Sequence, residues 1–524
     1  MTGPRAHPRA LHRRDGGDVL RTKICCTIGK ALRSGVILVS APMILTRHQI
    51  TYSARCVFAG PASYGYDNIG KLIEGGMNVA RLNLSHCTLE VAETVISDMR
   101  RYLKDTNTTA QVAIWLDLNG PKVRTGKLAQ PEVYLKAGDE FTFVNDDSVI
   151  GDNTKVTSTY TKELLKVGDK LYVDDGLLSF TVKERLPHGI LCSVDNSGYL
   201  GEYKGINMPS YVIEELPAVS GKDALDISFA MKHNVDFITV SCIRSLEDIQ
   251  EVRLLLGNSK TKVLAKIENK RGLDNFEDIL KTADGIVIDR GYLGAEVDVE
   301  IVTMEQKRMI MLANIMGKSV MVANQMFESM KTNPRPTRSE AADTANAVMD
   351  GADGLVLSAE TAIGNYVFEA LDVMRRVAAQ AEKNTNYLDF QVKMTRSVPK
   401  PISVSESIAS SAVLTASQVN AAIIIVVTEL GGTARLVAKY RPQIPVIAAT
   451  LVPQTARQLA ATFGLVPYFH DGTDASVIQE TVQFAVELGL CKPGDIAVIT
   501  SGQSVGFLEG TTTQMQLYTI PGSA

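Results

Sequence analysis

The sequence predicts an α/β protein: a (β/α)8 TIM barrel with an antiparallel β-barrel lid domain inserted into it and an open-sheet α/β domain after it. Three observations carry that prediction. Between residues 20 and 365, eight short runs rich in Val and Ile recur, each followed by a stretch of helical character. Polar residues gather at the C-terminal ends of those runs. More than a hundred residues of a different, alternating pattern separate the third run from the fourth.

The runs are KICCTI (23–28), NVARLNL (78–84), VAIWLDL (112–118), DFITVS (236–241), VLAKIE (263–268), DGIVID (284–289), SVMVAN (319–324) and GLVLSAE (354–360). Continuous apolar strands alternating with helices imply a parallel sheet covered on both faces. Eight such units can close on themselves as a barrel. Asn83, Ser85, Asp117, Ser241, Lys266, Glu268, Asp289, Arg290, Asn324, Ser358 and Glu360 lie at or just past the strand ends. In a barrel these ends share the face on which active sites are built. A ring of structural ion pairs could employ Lys266 and Glu268, but it does not account for so many polar strand ends.

A barrel unit needs about 30 residues, so the long third gap holds something else. VYLKAGDEFTFV (133–144) and KLYVDDGLLSFTV (170–182) alternate and carry turn signals such as Asp175-Gly176, which reads as an antiparallel domain placed to act as a lid. After residue 390, AAIIIVVTE (421–429), PVIAAT (445–450) and DIAVITSG (495–502) suggest an open α/β domain. The expected division is a disordered tail over 1–20, barrel over 21–119 and 216–390, lid over 120–215, and the α/β domain over 391–524.

The chain has 524 residues, is 45% apolar and 21% charged, and carries a net charge of −4. That balance gives no electrostatic reason to expect a nucleic acid or an anionic membrane as partner. Cys25, Cys26, Cys56, Cys87, Cys192, Cys242 and Cys491 are scattered and form no CxxC pair, which suggests reduced thiols rather than disulfides or zinc. No apolar run approaches the roughly 18 residues that span a bilayer. The N-terminus is arginine-rich and faintly like a transit peptide, but it lacks an amphipathic helix and reads as a tail.

Four stretches, GMNVARLNLSH (76–86), LDLNGPKVRTG (116–126), AKIENKRGLDNFEDIL (265–280) and QMFESMKTNPRPTRSEAADTANAV (325–348), together resemble pyruvate kinase. The resemblance runs from Thr22 to the C-terminus. It implies phosphoryl transfer from phosphoenolpyruvate to ADP, giving pyruvate and ATP in glycolysis, in a cytoplasmic enzyme that uses Mg²⁺ and is commonly a homotetramer. Such chemistry needs positive charge around the moving phosphate. By resemblance, Arg81 grips the phosphate and Lys266 neutralises the transferring group and the nascent enolate. Ser358 relays a proton beside Glu360. Arg290, Gly291, Tyr292 and Asn324 border the substrate. Asn83, His86, Arg124 and Lys204 meet the nucleotide. Glu268, on the same strand face as Lys266, holds Mg²⁺. Asn83, Ser85, Asp117 and the Leu118 carbonyl correspond to a monovalent cation site, K⁺ in the family.

The chain departs from the family at several of these positions. In IDRGYLG (288–294), Tyr292 stands where the family has a second Mg²⁺-binding aspartate, and Asp289 stands where it has alanine. A phenol is a poor ligand for this hard ion. Asp289 could supply the missing carboxylate, water could fill the position, or the chain could be a catalytically weak paralogue acting as a substrate-binding or regulatory subunit. Asn324 replaces a threonine, Cys242 a phenylalanine and Ala359 a glycine. Leu118 and Lys122 replace the threonine and glutamate of potassium-dependent members, and an ammonium there can supply the charge that K⁺ brings. In the α/β domain, TELGGTAR (428–435) resembles the loop that holds a sugar-phosphate effector, with Glu429 and Leu430 where a lysine or serine would help. Residues 30–60 interrupt an otherwise continuous family-like stretch and show no helical or strand periodicity of useful length. They are either an extra loop, longer than the usual upper range of about 12–15 residues, or translated intervening sequence, which is the reading adopted. A tryptic peptide from residues 34–47 of the native protein would overturn it.

Overall fold

The computed structural model describes residues 21–28, 52–60, 62–146, 148–158, 165–174, 176–209, 217–472, 476–502 and 512–522, with backbone alone for 21–28 and 52–60. The apolar runs close into a barrel in the order Arg21–Ile28, Gly354–Leu357, Ser319–Ala323, Gly285–Asp289, Lys262–Ile267, Phe237–Val240, Ala113–Leu118, Val79–Asn83 and Tyr52–Gly60. Every pairing is parallel.

One expectation is corrected here. The stretch 30–60 was read as lacking a strand, yet Tyr52–Gly60 is one. Its YSARCVFAG run is aromatic and β-branched enough to suit a pleated surface. It competes with Arg21–Ile28 for one position, since Cys25 and Cys56 both stand opposite Val79 and opposite each other. The remainder of 30–60 lies outside the described residues.

Strand side chains alternate between two environments because the pleat has a period of two. Val79, Ala113, Trp115, Phe237, Leu264, Val287, Met321 and Val356 fill the barrel interior. Their neighbours Ala80, Ile114, Ile238, Ala265, Ile286, Val322 and Leu355 pack outward against the helices. The same parity, carried to the strand ends, sends Arg81, Asp117, Thr239, Lys266 and Asp289 to the inside. The helices are started by local signals. Ser220 with Asp223, and Thr337 with Glu340, form capping boxes for Gly221–Lys232 and Arg338–Asp350. The second of these explains the TRSE of the NPRPTRSE stretch.

The inserted lid is a six-stranded sheet ordered Ile206–Asn207, Lys170–Val173, Leu178–Leu186, Gly189–Val194, Glu140–Val144 and Lys155–Thr157. It is antiparallel except for the last pair. Phe141, Phe143 and Phe180 pack ring against ring in its core. The C-terminal sheet runs Leu465–Phe469, Val446–Thr450, Ile423–Val427, Ile496–Gly502 and Thr512–Thr519. Leu465–Phe469 and Thr512–Thr519 add to the three strands expected from sequence, and the last pairs antiparallel. Among the described residues no helix is long and apolar enough to cross a membrane.

Candidate active site

Arg81, from the end of Val79–Asn83, lies 5.0 Å over the Trp115 ring and donates from Nε to Asp117 Oδ2 at 3.0 Å, with a second, shorter contact from its terminal nitrogen. Thr239 Oγ1 donates to the other Asp117 oxygen at 2.6 Å and accepts from Trp115 Nε1 at 2.9 Å. Lys266 Nζ stands 3.0 Å from Asp289, 3.4 Å from Asp117 and 3.6 Å from Glu268. Burial works against the charge on Lys266, but Asp117, Glu268 and Asp289 outweigh it and hold the ammonium well above its ordinary range. Burial likewise opposes ionisation of Asp117, and Arg81 and Lys266 overcome it to keep the carboxylate charged.

A hydrogen-bonded chain leads away from Lys266. Asp289 accepts from the Asn324 amide, and Ser358 Oγ donates to Asn324 Oδ1 at 2.7 Å. Asn324 is held in the left-handed region, φ 67°, as is Gln325 at 53°. Their carbonyls accept from Arg290, whose guanidinium also pairs with Asp343. Glu360 accepts from the Phe327 and Ser358 N–H groups at 2.9 and 2.6 Å. Burial, with Glu328 adding to it, pushes the Glu360 carboxyl up to about 7. A carboxyl raised in the folded state contributes stability that is complete below its ordinary value, 4.5, and is lost as pH rises through about 7. Wild-type stability is therefore expected to fall across that interval relative to Glu360→Gln. Urea unfolding at a series of pH values checks this, and parallel profiles would remove the assignment.

The remaining expected residues line the mouth. Ser85 Oγ donates to Asn119 Oδ1 at 2.7 Å and its N–H to Asn83 Oδ1 at 3.0 Å. Arg124 reaches Asn119, Ser85 and the Tyr203 carbonyl, tying the inserted domain to the barrel mouth, and Lys204 pairs with Asp174 at 2.9 Å within that domain. Burial, then Arg124, Lys204, Arg81 and Lys122, push His86 down to about 4, leaving a neutral imidazole at pH 7. The Leu118 carbonyl accepts from Ser241 Oγ at 3.1 Å. Thr239 and Asn119 were not singled out from the sequence. A hydroxyl on an interior strand position and an Asn in a loop carry no signal apart from their neighbours.

Lys122 belongs to this group in a way the sequence did not show. Its Nζ pairs with Glu268 Oε2 at 2.7 Å and sits 3.3 Å from the centre of the Tyr292 ring. Burial pulls its pKa down, the Glu268 carboxylate more than restores it, and the ammonium stays charged. The other Glu268 oxygen accepts from the Cys242 N–H. These residues do not fit the expected Mg²⁺ site. Both oxygens of Glu268 are engaged, Asp289 Oδ1 accepts from Asn324 while its Oδ2 has Lys266 as an ion-pair partner but no hydrogen bond, and a phenol stands where the family has its second carboxylate. Each of the two carboxylates expected to meet Mg²⁺, Glu268 and Asp289, stands against a lysine in this structure.

A closed parallel barrel whose strand ends bear buried cations, under an inserted lid, defines a TIM-barrel protein with its charged groups gathered on the face where barrel enzymes build their sites. Residues 19–371 match the family described as pyruvate kinase, barrel domain, and residues 406–517 match pyruvate kinase, alpha/beta domain. The pyruvate kinase of Dictyostelium discoideum is 41% identical over 475 residues, covering 88% of this chain and 93% of its own. That of Clostridium perfringens is 39% identical over 462 residues, covering 86% and 96%. The crystal structure of a pyruvate kinase from Cryptosporidium parvum superposes with a TM-score of 0.81 at 36% identity, over 96% of each chain. The chain belongs to the pyruvate kinase family and is an enzyme, a phosphotransferase of glycolysis. Identity at this level over most of the chain favours the enzyme over a regulatory paralogue.

Proposed function

We propose that the chain transfers the phosphoryl group of phosphoenolpyruvate to ADP at the barrel mouth, with Arg81 and Lys266 carrying the charge of the moving group. The observation that supports this is the pair of cations buried at 2% and 3% exposure. Desolvated cations stabilise developing negative charge far better than solvated ones. Lys266 also faces the enolate oxygen left when the phosphoryl group departs. Ser358, tied through Asn324 and Asp289 to Lys266, delivers the proton that turns the enolate into pyruvate. The backbone at Gly291 and Tyr292 borders the substrate carboxylate, with Arg290 fixing that turn rather than presenting its own charge. His86, Arg124, Lys204 and Asn83 receive the nucleotide, and Arg124 and Lys204 close the lid onto it. A cytoplasmic homotetramer is carried over from the family.

Turnover of the full chain, coupled to lactate dehydrogenase, tests this reading: no pyruvate from phosphoenolpyruvate and ADP would end it. Members of the family generally use Mg²⁺ and K⁺. Asp117 is taken up by Arg81, Thr239 and Lys266, Ser85 by Arg124, the Leu118 carbonyl by Ser241 and Asn83 Oδ1 by the Ser85 N–H, and the Lys122 ammonium nearby supplies positive charge. Replacing Na⁺ by K⁺ at constant ionic strength is therefore expected to leave turnover nearly unchanged. A severalfold rise with K⁺ would refute that independence.

A further inference from the structure

Two departures from the family meet at one point. Tyr292 stands where an aspartate is expected, and Lys122 where a glutamate is expected in potassium-dependent members. In the fold, Lys122 pairs with Glu268 and the Tyr292 ring lies against Lys122. The Lys122 side chain is 4% exposed and that of Glu268 0%, so the pair is out of water. The Tyr292 ring roofs the ammonium at 3.3 Å, a contact that strengthens when it is desolvated. Gly205 at the base of the lid makes room for the ring, since a Cβ there would lie 2.8 Å from Tyr292 Cε1.

We infer that the Lys122 ammonium, held by Glu268 and roofed by Tyr292, is a tethered cation standing in place of the divalent ion, so that Glu268 takes up no metal in this chain. The charges of the site agree. Arg81, Lys122 and Lys266 are ion-paired with Asp117, Glu268 and Asp289, three cations to three carboxylates, and the neighbouring Glu296, whose carboxyl burial pushes upward, is taken up by Asn207. The extra lysine is matched by the extra aspartate, and Asn324 supplies the amide that orients it. A divalent ion added to this set would sit in a buried site with two uncompensated positive charges, which low-dielectric surroundings penalise heavily. To bind Glu268 it would also have to displace an ammonium already at hydrogen-bond distance. Tyr292 follows from the same arrangement: a third carboxylate beside Glu268 would recruit a metal, whereas an aromatic face is attracted to the lysine that replaces it.

The inference rests on the pyruvate kinase reading of this site, and its test uses no turnover, so the two can fail separately. Mn²⁺ alone is titrated into the full-length protein without nucleotide, and free Mn²⁺ is read by electron paramagnetic resonance. The wild type is expected to take up no Mn²⁺ that depends on Glu268, so its isotherm matches that of Glu268→Gln. The double variant Lys122→Met, Tyr292→Asp is expected to gain one Mn²⁺ per chain, at least about tenfold tighter than any wild-type uptake. One Mn²⁺ per wild-type chain that Glu268→Gln abolishes would overturn the inference. That comparison needs only an isosteric substitution, so it holds even where the double variant fails to fold.

Discussion

Replacing Lys266 with methionine is expected to lower kcat by at least about 10³-fold, the loss typical when a preorganised charge at a developing anion is removed. The side chain is similar in length, so the barrel interior stays filled. What disappears is the ammonium that stands within 3.6 Å of Asp117, Glu268 and Asp289. Three buried carboxylates would then share Arg81 and Lys122. Breaking a buried ion network from one side costs about 3–5 kcal/mol, so a lower melting temperature should accompany the kinetic loss. Coupled turnover and thermal unfolding of the same preparation separate the two effects. If kcat falls less than about tenfold while the protein melts early, Lys266 is structural and the phosphoryl group is handled elsewhere.

Arg441→Ala is expected to destabilise the docking of the α/β domain on the barrel by about 3–5 kcal/mol. Arg441 is 2% exposed, pairs with Asp353 at 3.1 Å, donates to Asn314 Oδ1 at 2.9 Å and to the Gly351 carbonyl, and stacks 4.0 Å from the Phe463 ring. Its removal leaves Asp353, 5% exposed, with only the Val320 and Phe463 N–H groups. Asp353 immediately precedes Gly354–Leu357, the strand that leads into Ser358. Hydrogen exchange should therefore show protection lost in Gly354–Leu357 as well as in the α/β domain. Unchanged protection at that strand would mean that the contacts of Gln454, Arg457 and Gln458, among them Asp236–Arg457 at 3.0 Å, hold the domains together without Arg441.

Much of the architecture was legible because its cause is local. Strand and helix periods, capping residues and the parity of strand positions are properties of neighbouring residues, so Lys266 and Glu268 two apart could be placed on one interior face. The lid and the α/β domain followed from changes of period, although Leu465–Phe469 and Thr512–Thr519 were missed. Leu465–Phe469 contains a proline and reads weakly as a strand. Thr512–Thr519 is mostly polar and pairs at the sheet edge. Tyr52–Gly60 was missed because it was judged with its long insertion and not as a run of its own.

The sequence by itself determined the barrel, the lid, the identity of the cations at the strand ends and the question posed by Tyr292. Only the tertiary structure decided which partner each charge takes. Lys122 lies 146 positions from Glu268, on a loop after one strand while the carboxylate ends another, and no local period relates them. Asp289 was equally free, on sequence grounds, to face a metal, and in the fold it faces Lys266 and Asn324. Charge pairing in a barrel is set by the closure of the sheet, which brings distant strand ends into one dry space where each carboxylate must be answered by the nearest cation.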